Sequence, residues 1–159
     1  MRRTFFKELY NIMEKNENIY ALTGDLGFGG FDTIRDKFSK RFVNCGAAEI
    51  AMLDMAVGLS YLGKIPFVYS ITPFLILRCF ETLRTYVNHE KLHIILIGSG
   101  RNKDYHIDGI SHDASDIPSF LAVFQGGLVQ YYPNTNEEIP ALLEKVIKEP
   151  LPAFISLCR

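Results

Sequence analysis

RFVNCGAAEIAMLDMAVGLSYLGKIPF, residues 41–67, decides the fold class. Its first six residues read as a short strand. A helix follows from about residue 46 to 62, apolar almost all round: Ala47, Ala48, Ile50, Ala51, Met52, Leu53, Met55, Ala56, Val57 and Leu59. Gly63 stands where a helix is closed by a left-handed residue. "IPFVYS" then begins a second strand. A strand, a buried helix and a strand in succession are the unit of a parallel sheet. Glu49 breaks the pattern, because it puts a carboxylate into the first turn of a helix with no other charge near its start. Acids are favoured in a first turn by the helix dipole, so a solvated role is open. Its neighbours are Ala and Ile, however, and an ionised carboxylate among apolar groups is costly without a partner. A buried Glu that holds its proton also suits acid–base work.

The same alternation extends outward. A helix over roughly residues 3 to 15 precedes the strand "NIYALTG", which runs into the turn "GDLGFGGF" and a short helix at 31 to 39. Beyond the third strand, Pro73 opens the helix "PFLILRCFETLRTYVNH". "LHIILIGSG" is uniformly apolar, as a strand covered on both faces must be. A long polar loop, a helix at 117 to 125, the strand "LVQYYP", the helix "NEEIPALLEKVIKE" and the strand "PAFISLC" follow. The expectation is one α/β domain over residues 1–159. It has a mostly parallel sheet of about six strands flanked by helices on both faces. Ligands in such sheets sit beyond the carboxyl ends of the strands. The unusual residues fall there, at 24–30, 44–49, 70–74 and 99–116.

Composition narrows the class. With 159 residues the chain can bury a real core, and a net charge of −1 with scattered Lys and Arg argues against nucleic acid. No apolar run approaches the roughly 20 residues that span a bilayer. The N-terminal "MRRTFFKELYNIMEK" reads as an amphipathic helix without a signal-peptide core. Cys45, Cys79 and Cys158 are odd in number and far apart, which fits neither a disulfide framework nor zinc. A reducing cytoplasm is the default expectation.

Several other residues compete for a role. "GDLGFGG" lacks the Lys-Ser/Thr of a phosphate loop and the G-x-G-x-x-G spacing, so it reads as a tight strand-to-helix turn, with Asp25 a ligand-facing candidate. His106, Asp108 and His112 have metal-donor chemistry but not the rigid helical spacing of a zinc-protease motif. A loop as long as the one that carries them is unusual in a compact domain and favours function, although a plain turn at Asp108-Gly109 stays open. Arg78 and Arg84 flank Glu81 at helical spacing, which reads as surface ion pairing.

Together these segments resemble one family. "NCGAAEIAMLDMAVGLSYLGKIPF" is similar to the glycine–x–x–Glu helix of the pyrimidine-binding domain in transketolases and deoxyxylulose-phosphate synthases. "GKIPFVYS", Phe74 and "LRCFETLR" resemble the strand, conspicuous Phe and arginine-bearing helix that follow in that family. "DYHIDGISHDASDI" is similar to its Asp-Gly-x-x-His loop, and "PAFISLCR" to its strand ending in Leu-Ser-Arg. The resemblance runs from about residue 20 to 159.

That resemblance implies thiamine diphosphate as cofactor, whose ylid carbon is the nucleophile. It implies that Glu49 hydrogen-bonds a ring nitrogen of the aminopyrimidine and favours the imino tautomer. Phe74 would stack on that ring, with Ile71 and Ala48 completing the cofactor-binding set. Asp25, His106, Asp108, His112 and Arg159 would contact substrate, with His112 also exchanging protons and Arg159 binding a phosphate or terminal hydroxyl. The chain has no Gly-Asp-Gly motif of the kind that holds Mg2+ and the diphosphate, and no counterpart of the family's third domain. In place of the usual Asp-Gly-Pro-Thr-His-Gln it has Ile110, Ser111 and Asp113. The expectation is a stand-alone pyrimidine-binding subunit of a split transketolase-like enzyme, completed by a diphosphate-binding chain in a heterotetramer. It would move a ketol unit from a ketose, expected to be phosphorylated, to an aldehyde. A split 2-oxo acid decarboxylase and a non-catalytic scaffold stay open as alternatives.

Overall fold

The computed structural model describes residues 1–124 and 126–159. Six strands form one wholly parallel sheet: β1 (Ile19–Thr23), β2 (Phe42–Asn44), β3 (Ile65–Ile71), β4 (Ile95–Ser99), β5 (Val129–Tyr131) and β6 (Ala153–Leu157), in the spatial order β2-β1-β3-β4-β6-β5. Register follows the apolar alternation, with Leu22 beside Val68, Val68 beside Leu96 and Leu96 beside Phe154. These four face one layer of helices, while Ala21, Phe67, Tyr69, Ile95, Ile97 and Ile155 face the other. Both faces are covered, so the strands are apolar on both sides and no polar face is left to read.

Helices α1 (Arg2–Lys15), α2 (Asp32–Lys37) and α6 (Glu138–Lys148) cover one face through Phe5, Leu9, Met13, Ile34, Ile139, Leu143 and Val146. Helices α3 (Glu49–Tyr61), α4 (residues 74–89) and α5 (Ile117–Leu121) cover the other. The helix expected at 117–125 is thus shorter, and its last position, Gln125, lies outside the described residues. α3 ends in a Schellman motif as Gly63 predicts: Gly63 adopts φ +72°, its N–H donates to Ser60 O, and Lys64 N–H donates to Leu59 O.

Two features depart from the sequence reading. α3 is apolar all round but not buried all round. Its inner stripe is Glu49, Met52, Leu53, Ala56 and Val57, the 3.6-residue spacing of one helix face, whereas Ile50 is 54% and Met55 44% exposed. α4 is not a regular α-helix, because Phe74–Arg78 and Leu83–His89 are wound in the wider π form around a short α turn, Phe80–Thr82. Such wide turns recur at functional sites.

Strand order explains where the site falls. From β1 the chain steps one way to β2, then crosses back over β1 to β3 and continues the other way. A crevice opens at the carboxyl ends of β1 and β3, the switch point at which parallel sheets bind ligands. Glycine keeps the neighbouring strand close: a Cβ on Gly98 of β4 would lie 2.5 Å from Thr72 Oγ1 and 2.8 Å from the Phe154 ring. Gly98→Ala should therefore lower stability by about 1–3 kcal/mol through overpacking. Gly58→Ala, in the interior of α3 with open space around its Cβ position, should raise it by about 0.5–1 kcal/mol. Urea midpoints of the two variants against wild type check both signs.

Candidate functional site

Thr23 and Asn44 end their strands side by side, Ile71 and Ser99 end theirs side by side two residues further along, and the backbone carries the ladder one residue beyond. Gly24 N–H donates to Tyr69 O, Cys45 N–H to Thr23 O and Gly100 N–H to Leu157 O. The loops after these strands leave from a common rim, with α3 and α4 beginning on one side of it.

Glu49 opens α3 directly above the switch point and is only 3% exposed. Two donors meet its carboxylate: Ser70 Oγ on β3 donates to Oε1 at 3.1 Å, and Arg78 Nη1 on α4 donates to Oε2 at 2.7 Å. Gly24 leaves room beside this pair, since a Cβ there would stand 3.3 Å from Glu49 Oε1, a tight contact, and 3.5 Å from Ser70 Oγ. The Glu49–Arg78 ion pair corrects the reading of Arg78 as a surface partner of Glu81, for the guanidinium reaches across to α3 instead. Its Cζ also lies 3.8 Å from the centroid of the Phe74 ring, a cation–π contact between residues four apart at the start of α4.

Phe74 is half-buried, and His112 packs edge-on against its ring at a centroid distance of 4.9 Å. The long loop is not featureless. It turns through His106–Asp108 and Ile110–His112, pivots at Gly109 with φ +90°, and is pinned by a bridge between Asn102 and Ala114. His112 and Asp108 both line a cleft of about 1290 Å³ that runs from the carboxyl ends of β3 and β4 to the N-terminal half of α1. Ile71, Ser99, Tyr69 and Tyr105 form its floor, with Arg2, Arg3, Lys7 and Lys37 along its walls. Burial pushes the Tyr69 hydroxyl up from its ordinary value, so it keeps its proton at neutral pH.

Other sequence candidates fall nearby or apart. Ala48 is the N-cap residue of α3 and is exposed beside Glu49. Asp25 holds a left-handed backbone (φ +59°), secured by Asn44: the Asp25 N–H donates to Asn44 Oδ1 at 3.0 Å and Asn44 Nδ2 donates to Asp25 Oδ1 at 3.3 Å. His106 is exposed, bound through Nδ1 to the Lys103 carbonyl, and is not on the cleft wall. Arg159 lays its guanidinium over Tyr105 at 5.4 Å, while its N–H donates to Asp104 Oδ2. The Tyr105 hydroxyl in turn takes a hydrogen bond from Arg2 at 3.0 Å and pairs with Ser99 Oγ at 3.1 Å. Among the described residues no three His, Cys, Asp or Glu side chains converge as a metal site.

Asn44, Ser70 and Tyr105 lie in segments that the sequence marks as site-forming without giving them individual roles, and Arg78 lies outside those segments. Ser70 was the most accessible of them, since a polar residue at the end of an apolar strand in a parallel sheet needs a partner. The others depend on which strands are neighbours. The Ser70 bond to a nearly buried carboxylate should matter: Ser70→Ala should lower stability by about 1–3 kcal/mol by leaving Oε1 without its donor. Thermal and urea unfolding of this variant and of Ser70→Thr measure it, with the threonine expected to recover part of the loss.

Comparison with known proteins gives this arrangement a family. The model of the transketolase pyrimidine-binding domain matches residues 1–159. The chain is 26% identical over 160 residues to the 6-deoxy-6-sulfo-D-fructose transketolase subunit of Clostridium sp. (strain MSTE9), covering 100% of this chain and 49% of that protein. It is 34% identical over 126 residues to a putative transketolase C-terminal section of Methanocaldococcus jannaschii, covering 77% of this chain and 40% of that one. Among solved structures, a split-gene transketolase described as an inactive β4 tetramer superposes with a TM-score of 0.85 at 26% identity, over 99% of this chain and 51% of that one. The transketolase of Campylobacter jejuni superposes at 0.87 with 16% identity, over 99% of this chain and 25% of its own, a likeness of fold. The chain therefore spans about half the length or less of these relatives. A parallel sheet with a buried Glu at its switch point and a family model spanning all 159 residues lead to one conclusion: the chain belongs to the transketolase pyrimidine-binding domain family.

Proposed function

We propose that this chain is the pyrimidine-binding subunit of a split, thiamine diphosphate-dependent transketolase-like enzyme that moves a ketol unit from a ketose, expected to be phosphorylated, to an aldehyde. One observation carries the reading. A nearly buried carboxylate, Glu49, stands at the sheet's switch point within reach of the same guanidinium that lies on Phe74. The residues present fit an aminopyrimidine. Gly24 leaves the space over Glu49 Oε1 that a Cβ would fill, and Phe74 offers an aromatic face beside it.

Thiamine diphosphate, when bound, supplies the carbon nucleophile for ketol transfer. Glu49 would exchange a hydrogen bond and its proton with a pyrimidine ring nitrogen, and Phe74 would hold the ring by stacking, flanked by Ile71 and Ala48. His112 and Asp108, on the cleft wall, would meet substrate hydroxyls, with the imidazole giving and taking the proton there. Asp25 and His106 are carried as further substrate contacts on resemblance. Arg159 would grip a phosphate or terminal hydroxyl through its forked donors, and the basic walls favour an anionic substrate.

The diphosphate and Mg2+, for which these 159 residues offer no Gly-Asp-Gly motif, would be held by a second chain, a reading supported by relatives named as a transketolase subunit and a split-gene transketolase. The exposed apolar flank of α3, with Ile50 and Met55 next to the mouth over Glu49, supports covering by such a partner in a heterotetramer. Three free cysteines, Cys45, Cys79 and Cys158, support a reducing cytoplasm as its site of action.

Two measurements test this. Calorimetric titration of thiamine diphosphate with Mg2+ should give binding when this chain is mixed with a chain carrying the Gly-Asp-Gly motif, and far weaker binding to this chain alone. In that mixture Glu49→Gln should lower ketol transfer between a ketose phosphate and an aldehyde by at least about 100-fold, the scale of acid–base catalysis. Assembly, followed by sedimentation, should be unchanged. Full activity of the variant would remove Glu49 from the chemistry, and turnover of pyruvate-like acids instead of ketoses would favour the decarboxylase reading.

A further inference from the structure

Arg78 has no part in the function just described, yet its side chain stands between the two residues on which cofactor binding depends. Nη1 donates to Glu49 Oε2 at 2.7 Å, and Cζ lies 3.8 Å from the Phe74 centroid. A guanidinium is flat, delocalised and rich in N–H donors, so it can stack on an aromatic face and hydrogen-bond a carboxylate at once. Those are the two contacts asked of an aminopyrimidine. With Ser70 donating to Oε1, both carboxylate oxygens already serve as acceptors. Each oxygen keeps a further lone pair, so what stands in the way of a second planar donor is the guanidinium itself, at Glu49 Oε2 and on the Phe74 ring.

Among the described residues these two contacts are the ones that hold the guanidinium of Arg78. Its side chain is 46% exposed, and among the described residues its hydrogen bonding is to Glu49 alone. Outward rotation would therefore move no core residue. Glu81, one turn further along α4 and also exposed, offers an alternative carboxylate at the spacing where helix side chains pair.

We propose that Arg78 is a displaceable latch: its guanidinium fills the aminopyrimidine's place on Glu49 and Phe74, and the cofactor enters by exchanging with it. The inference rests on the proposed cofactor reading. Affinity is lowered by the free energy of breaking one ion pair to a nearly buried carboxylate and one cation–π contact. The latch also gives Glu49 a counter-ion whenever the pyrimidine is elsewhere, so the subunit folds without an uncompensated buried charge.

The test is titration of thiamine diphosphate with Mg2+ into the mixture with the diphosphate-binding chain, comparing wild type, Arg78→Met and Arg78→Lys. Met keeps the apolar stem and removes the charge, and Lys keeps the charge without the planar fork. Arg78→Met should bind roughly tenfold tighter, the scale of one such pair, and associate faster. Arg78→Lys should gain a smaller factor. A merely structural ion pair would leave affinity and association rate unchanged while lowering thermal stability, and that result overturns the latch. So does weaker binding by Arg78→Met, which would make Arg78 a support of the cofactor. Should Arg78→Met fail to fold, Arg78→Lys decides: a gain in affinity and association rate upholds the latch, and no gain overturns it. Binding by wild type that neither variant strengthens removes the latch alone. Absence of binding by all three proteins removes the proposed function with it.

Discussion

A carboxylate taken almost wholly out of water must find hydrogen-bond donors, and the way Glu49 finds them ties three elements together. It begins α3, one donor comes from the end of β3, and the other from the first π-wound segment of α4. The β2-to-β3 crossover therefore ends in a polar contact as well as in packing by Met52, Leu53, Ala56 and Val57. Removing either donor leaves a charge poorly served in a place where water is scarce, which is far costlier than losing a surface ion pair. α4 and α3 are thus joined by a polar contact at the rim as well as by their apolar packing.

The two faces of the sheet do different work at its carboxyl end. On the α3–α4 side the rim holds Glu49 and Phe74. On the α1–α2 side it opens into the basic cleft floored by Ile71, Ser99 and Tyr105. His112 joins them, because its ring touches Phe74 while its loop borders the cleft. A buried carboxylate on one side and basic walls on the other fit the proposed reaction, in which a ring cofactor and an anionic substrate would approach from different directions. Tyr105 organises the cleft end of this path, placed between the side chains of Arg2, Ser99 and Arg159.

Much of this was legible in the residues. Alternation of uniformly apolar strands with helices specifies a parallel sheet, since only strands buried on both faces lack a polar side. The six strands expected are the six observed. Gly63 was readable as a terminator because its left-handed backbone is a local requirement. Glu49 was conspicuous because an acid between Ala48 and Ile50 violates a local rule, although both neighbours prove exposed and its burial comes from the stripe it shares with residues 52, 53, 56 and 57. The exposure of Ile50 and Met55 was not readable, because hydrophobicity marks a surface that avoids water and does not name what covers it.

Local chemistry thus set the elements, the parallel sheet, the placement of unusual residues at the strands' carboxyl ends and the singular position of Glu49. These follow from rules acting over a few residues, namely side-chain periodicity, left-handed glycine and the cost of a charge among apolar neighbours. Tertiary structure alone decided the partners. Ser70 and Arg78 lie 21 and 29 positions from Glu49 along the chain, and Arg78 had a plausible carboxylate of its own in Glu81. The choice between Glu81 and Glu49 depends on the π winding of α4 and on the strand order that sets α4 beside α3. Both are properties of the packed whole, because a side chain's nearest charge in space is fixed only when the sheet has assembled.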